Sequence, residues 1–211
     1  MTNAADYGIL CLHCYGRVAM DEELLLQASK QGDAEAYNSL VLQYQTPIYN
    51  VALRMVGESA VAEDITQETF VSAYRALHTF ASGNFRAWLF RIATNACRDH
   101  LRSAHVRRNT SLDALVENPT FSVSSTEESP EDYTVRRELS GFIQESLTKL
   151  AEDQRVVLIL VDIQAFSYEE AAQILKTPVG TVKSRLSRAR EAMRATLSTQ
   201  RELLPGQLRS G

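Results

Sequence analysis

The sequence predicts an all-α fold built as two small helical domains joined by a flexible linker, and three observations carry that reading. Apolar residues recur at helical spacing through both ends of the chain, while no run with strand character finds a partner strand anywhere. Residues 103–133 break the periodicity with a stretch rich in Ser, Thr, Pro and acids, which reads as a linker. Residues 166–194 carry two short helices separated by a tight turn, the pattern of a helix-turn-helix. The boundaries follow as an extension at 1–19, a first domain at 20–105, a linker at 106–134, a second domain at 135–199 and a fraying tail at 200–211.

Composition allows this and excludes other classes. A chain of 211 residues with 45% hydrophobic content can bury one core or two small ones. The net charge of −4 looks wrong for a nucleic-acid binder until the charges are placed along the chain. Arg86, Arg91, Arg98, Arg102, Arg107 and Arg108 stand against Asp99 alone, whereas Asp113, Glu117, Glu127, Glu128, Glu131 and Asp132 follow with no intervening Lys or Arg. No apolar run reaches the ~20 residues of a membrane span and the start lacks a secretory signal, so no membrane insertion and a cytoplasmic location are expected.

Taken in order, the extension holds Cys11 and Cys14, a CxxC pair that binds zinc or switches redox state only if further ligands converge. A structural zinc site wants about four ligands, and no second pair follows. The extension is therefore read as disordered, no cofactor is expected, and Cys11 and Cys14 stay the one metal candidate. Leu24, Leu25 and Ala28 predict a short helix ending near Gly32, and Tyr37, Leu40, Val41, Tyr44, Ile48, Val51, Ala52 and Met55 predict a long one that Pro47 kinks without ending. Ser59 is placed to cap a third helix with Glu63 and Asp64 in its opening turn and Ala62, Ile65, Thr69, Ala73 and Leu77 inward. A loop at residues 80–84 precedes a fourth helix with Phe85, Leu89, Ile92 and Ala96 inside, and its basic residues interleaved with aromatics suit unpaired DNA. Trp88 fits core packing or a stacking wedge equally, and Cys97 reads as a small buried residue.

In the second domain Leu139, Phe142, Ile143, Leu147 and Leu150 mark a helix. Val156 to Val161 alone fits a strand, but the polar flanks extend the segment beyond strand length and favour helix. Ser167 with Glu170 forms a capping box that starts the next helix, which buries Ala171, Ala172, Ile174 and Leu175. Thr177 as cap and Pro178 at the first helical position then open the last helix. At roughly 100° per residue Val182, Leu186, Ala189 and Met193 face inward, while Lys183, Ser184, Ser187, Arg188 and Arg194 face out with Thr181 and Arg185 on the flanks. Such a donor face suits phosphates and base edges, and the capped partner helix favours that over a merely solvated basic face.

These motifs carry a family resemblance. SYEEAAQIL, followed after a turn by PVGTVKSRLSRAREAM, resembles region four of the extracytoplasmic-function (ECF) sigma factors, bacterial RNA polymerase specificity subunits. The resemblance implies that Thr181, Lys183, Ser184, Arg185, Ser187 and Arg188 face the upstream (minus thirty-five) promoter element. AEDITQETFVSAYRAL resembles region two-point-two, which implies core-polymerase contacts from Asp64, Gln67 and Glu68. The Trp88 block resembles regions two-point-three and two-point-four, which implies a downstream (minus ten) site of Ser82, Gly83, Asn84, Arg86, Trp88, Arg91, Asn95 and Arg98.

The implied partners are core RNA polymerase, through its beta-prime and beta subunits, and promoter DNA. An anti-sigma factor that clamps both domains is common in that family. No catalytic set of residues is apparent, so a promoter-specificity subunit without covalent chemistry is expected. The alternative is a stand-alone helix-turn-helix regulator whose N-terminal part senses a ligand, a metal or a thiol reagent.

Overall fold

The computed structural model describes residues 22–110 and 130–199. Among the described residues eight α-helices occur: α1 at 22–30, α2 at Ala34–Val56, α3 at Ser59–Ala76, α4 at Phe85–Thr110, α5 at Pro130–Thr148, α6 at Glu152–Leu158, α7 at Tyr168–Leu175 and α8 at Val179–Thr199. No strand occurs among the described residues. The extension with Cys11 and Cys14, most of the linker and the tail lie outside them.

Helices α2, α3 and α4 form the first bundle. The predicted stripe of α2 is buried at Leu40, Tyr44, Ile48, Val51, Ala52 and Met55, and the helix runs through Pro47 without a boundary. Asp33 starts α2, its carboxylate accepting from the amides of Glu35 (2.9 Å) and Ala36 (3.1 Å) and so satisfying two donors of the first turn. Ala62, Ile65, Thr69 and Ala73 of α3 are buried as predicted, and so is Leu77 in the 3-10 turn that follows it.

Three local expectations are corrected. Leu24 points to solvent at 65% exposure and Leu26 packs inward in its place, a one-position error in the phase of a short helix. Ser59 is already helical; Glu58 holds the cap position without a side-chain bond, so Glu63 and Asp64 fall in the second turn of α3. Helix α4 continues to Thr110 and α5 begins at Pro130, so both helices reach into the stretch read as linker, and the missing amide of Pro130 suits a first helical position.

In the second half, residues 156–161 are helical, as their length favoured. Helix α6 passes into a π-helical turn at Ile159–Ile163, and Gln164 donates to the Ile159 carbonyl (2.9 Å), five residues back. Ala165 at φ 56° then reverses the chain and delivers Phe166 into the interior, where it is 2% exposed.

The two halves share one continuous apolar core. Phe90 of α4 meets Phe166 edge-on at a centroid distance of 4.8 Å. At the C-terminal end of α2, Gln144 of α5 donates to the carbonyls of Leu53 (3.1 Å) and Arg54 (3.3 Å). Helix α4 is therefore buried on more than its predicted face, with Phe90, Ala93 and Cys97 inaccessible besides Phe85 and Leu89.

Candidate nucleic-acid interface

The helix-turn-helix assembles from local bonds. The Ser167 hydroxyl accepts from the Glu170 amide (3.1 Å), and the Glu170 carboxylate accepts in return from the Ser167 amide (2.9 Å), closing the predicted capping box. Lys176, at φ 51°, ends α7 in the left-handed region. The start of α8 differs from expectation. The Pro178 carbonyl accepts from Val182 (3.1 Å) and Thr181 (2.9 Å), so proline holds the cap position, and the buried Thr177 hydroxyl has no hydrogen-bond partner among the described residues. A proline at that place supplies its carbonyl and needs no amide, and this removes the task assigned to Thr177.

From this start α8 turns Val182, Leu186 and Ala189 into the core and leaves Lys183, Ser184, Ser187 and Arg188 exposed. Thr181 and Arg185 lie half-buried on the flanks. Lys183 Nζ stands 5.5 Å from the Tyr168 ring centroid. Beside it opens a groove of about 490 Å³ whose walls include Tyr168, Ser187, Arg190 and Arg194. Arg190 is held by two bonds to Asp162, Nε to Oδ2 at 2.9 Å and Nη2 to Oδ1 at 2.6 Å, and that carboxylate raises its pKa. Arg190 was missed in the sequence, although the 183, 187, 190, 194 spacing of one helical face contains it. Tyr168 belongs to α7 and offers no such signal.

The second candidate surface lies on α4 and the loop before it. Ser82 and Gly83 are exposed, and Gly83 takes φ 115°, which a side chain would resist. Asn84 caps α4, its Oδ1 accepting from the Ala87 amide at 2.9 Å. Trp88 is half-buried in a ring cluster 5.3 Å from Phe80 and 5.6 Å from Phe85. Asn95 is exposed and Arg91 half-buried.

Three residues of this set, Asn84 among them, are engaged by the other half. Asn84 Nδ2 donates to Glu170 Oε1 (2.8 Å). Arg86 donates to the Gln164 carbonyl (2.6 Å) and lays its guanidinium 4.0 Å from the Phe166 ring centroid. Arg98 pairs with Glu152 (3.1 Å) and Asp153 (3.0 Å).

Comparison with known proteins decides what the two surfaces belong to. Residues 40–107 match the Sigma-70 region 2 family and residues 143–193 match Sigma-70 region 4. The RNA polymerase sigma-H factor of Pseudomonas aeruginosa is 37% identical over 177 residues, spanning 82% of this chain and 91% of its own. The ECF RNA polymerase sigma-E factor of Escherichia coli is 35% identical over 178 residues, spanning 82% and 93%. The chain belongs to the ECF family of RNA polymerase sigma factors.

Solved structures agree with this sigma-factor assignment. CnrH, in complex with the cytosolic domain of CnrY, superimposes with a TM-score of 0.65 at 28% identity over 85% of this chain and 99% of that one. The sigma factor RpoE of Bartonella quintana, in complex with the anti-sigma factor NepR, gives 0.66 at 27% identity over 79% and 99%. The family consists of transcription initiation factors without catalytic activity. The stand-alone regulator loses its ground, because the first half is itself sigma region 2 and not a sensing module.

Within region 2, Asp64, Gln67 and Glu68 are all exposed on α3. Val71 and Tyr74, exposed at 49% and 48%, extend the same helix surface by one and two turns. They give it an apolar component beside the charged residues. Tyr74 is braced by Tyr37 at 4.9 Å between centroids, and the Tyr37 hydroxyl donates to the Phe70 carbonyl (2.6 Å).

Proposed function

We propose that the two halves divide promoter recognition between them while core polymerase carries the chain. The exposed donor face of α8 carries this reading, with Lys183, Ser184, Ser187 and Arg188 free of the core and Thr181 and Arg185 beside them. In region 4 this face enters the major groove of the upstream element, where phosphate contacts fix register and a few base contacts select sequence.

Region 2 supplies the downstream site. Ser82, Gly83 and Asn84 hold an unpaired base, and Arg86, Arg91, Asn95 and Arg98 follow the strand, with Trp88 as the packed floor behind them. Trapping an unstacked base favours the melted state, and its unstacking cost of a few kcal/mol is offset by contacts to strand and polymerase together. Asp64, Gln67 and Glu68 dock region 2 on the beta-prime subunit, while region 4 meets the beta subunit. The work is done by binding alone, with no cofactor, and it takes place in the cytoplasm. Two structural neighbours were solved in complex with an anti-sigma factor or a cytosolic partner domain, which supports an anti-sigma partner here as well.

Runoff transcription tests the proposal. Purified core polymerase is supplied with genomic fragments that include the upstream region of this gene, with and without the protein. Discrete transcripts that depend on the protein are expected. Initiation that is indifferent to it would refute the function.

A further inference from the structure

Of the three region 2 residues engaged by the other half, Arg98 shares its acceptor with Arg185 of region 4. Asp153 is the hub. One of its oxygens lies 3.0 Å from Arg98 Nη2 and the other 2.5 Å from Arg185 Nη2, so a single carboxylate bridges a downstream-site arginine and an upstream-site arginine. Glu152 adds a second ion pair to Arg98 at 3.1 Å. Both acids stand in the first turn of α6, whose cap residue Ala151 offers no side-chain acceptor, so the helix itself favours negative charge there. Nearer the N-terminal end of α4, Glu170 accepts from Asn84 and Phe166 covers Arg86.

A carboxylate with one arginine on each oxygen reproduces what a DNA phosphate offers two arginines. We propose that Asp153 is an internal phosphate mimic that latches regions 2 and 4 together, so that Arg98 and Arg185 cannot both engage promoter DNA until the halves part. This rests on the roles given to those arginines under Proposed function. Promoter DNA and the latch compete for the same guanidinium groups, which keeps polymerase-free chain off DNA. Core polymerase, by holding the halves at separate sites, removes the competition.

The test uses the full chain as wild type, Asp153→Asn, Glu152→Gln and Glu169→Gln, the last removing an equal charge from an exposed first-turn position of α7. Small-angle scattering reads closure. Fluorescence anisotropy without polymerase reads binding to a labelled duplex from the gene's own upstream region that carries an unpaired central segment. Runoff with core polymerase reads function separately.

Asp153→Asn should expand the particle and bind the probe about fivefold more tightly, equivalent to about 1 kcal/mol, because its side chain is 49% exposed and solvent weakens its two ion pairs. Glu152→Gln should move both readouts the same way by less, and it keeps the test decisive should Asp153→Asn fold poorly. Glu169→Gln should match wild type. Unchanged scattering and affinity in both latch variants would overturn the proposal, as would expansion without tighter binding. Neither result touches the runoff assay, on which the functional reading stands or falls by itself.

Discussion

The Arg155 guanidinium donates to the carbonyl of Met55, one hundred residues earlier in the chain, while its other arm donates to the carbonyls of Thr148 (2.6 Å) and Leu150 (3.1 Å). One side chain thus satisfies acceptors at the C-terminal ends of α2 and α5, where helix carbonyls lack partners and carry partial negative charge. Arg155 is 8% exposed, and burial lowers its pKa. Substituting Arg155→Met should cost about 3 kcal/mol of folding free energy, since it leaves three acceptors unpaired in the interior. Urea denaturation followed by the fluorescence of Trp88, the single tryptophan, measures this. Arg155→Lys should recover little, because one ammonium cannot span acceptors in both halves.

The division of labour predicts opposite phenotypes for two double variants. Lys183→Ala with Arg188→Ala should lower upstream-element-dependent initiation by at least about tenfold and reduce the salt slope of promoter binding by about 2. Its association with core polymerase should stay unchanged. Asp64→Ala with Glu68→Ala should weaken core association and leave upstream recognition by the assembled complex intact. Pull-down and runoff on the same preparations separate the two, and matching phenotypes would dissolve the division.

What the sequence disclosed and withheld follows the range of the forces involved. The Ser167–Glu170 box and the α8 stripe of Val182, Leu186 and Ala189 are set within one or two helical turns, so spacing alone locates them. Thr177 was misjudged because the choice between Thr177 and Pro178 as cap turns on a single dihedral in the turn. Leu24 was misjudged because a helix of two turns leaves its phase ambiguous. The shared core was not legible at all. Phe90 and Phe166, or Arg98 and Asp153, are far apart in sequence, and nothing in their neighbours' pattern announces a partner. The same blindness hid the state of the downstream site, where Asn84, Arg86 and Arg98 read as open donors and are occupied.

Alkaline pH should expose the burial of Cys97. Burial pushes its thiol from 9.0 up to about 12, because the thiolate loses hydration in the interior. The unfolded chain therefore releases this proton at lower pH than the folded one does. Stability is fully present below about pH 9 and falls between about 9 and 12, by at most about 1.4 kcal/mol per pH unit. Tyr37, raised from 10.0 to about 12 chiefly by burial, adds a loss of the same sign. Urea midpoints at pH 7.5 and pH 10.5 should differ more in wild type than in Cys97→Ala, which carries a fixed cost for the lost sulfur and a shallower pH dependence. Equal slopes would place the thiol in water.

Gly57 tests the seam between the halves from the backbone side. It ends α2 at φ 85°, donating to the Leu53 carbonyl at 2.7 Å, and a Cβ there would stand 3.2 Å from Thr148 Cγ2 on α5. Gly57→Ala therefore meets two separate penalties, a left-handed backbone costing about 1 kcal/mol and a contact that pushes α5 outward. Thr148→Ser removes the opposing methyl and leaves the backbone penalty untouched. In a double-mutant cycle, Gly57→Ala should be less destabilising in the Thr148→Ser background than in wild type, with the backbone share remaining. Additive costs would mean that α5 does not press on Gly57. Because the contact lies between the halves, Gly57→Ala should also enlarge the scattering radius of the polymerase-free chain, which a purely local strain at the end of α2 would leave unchanged.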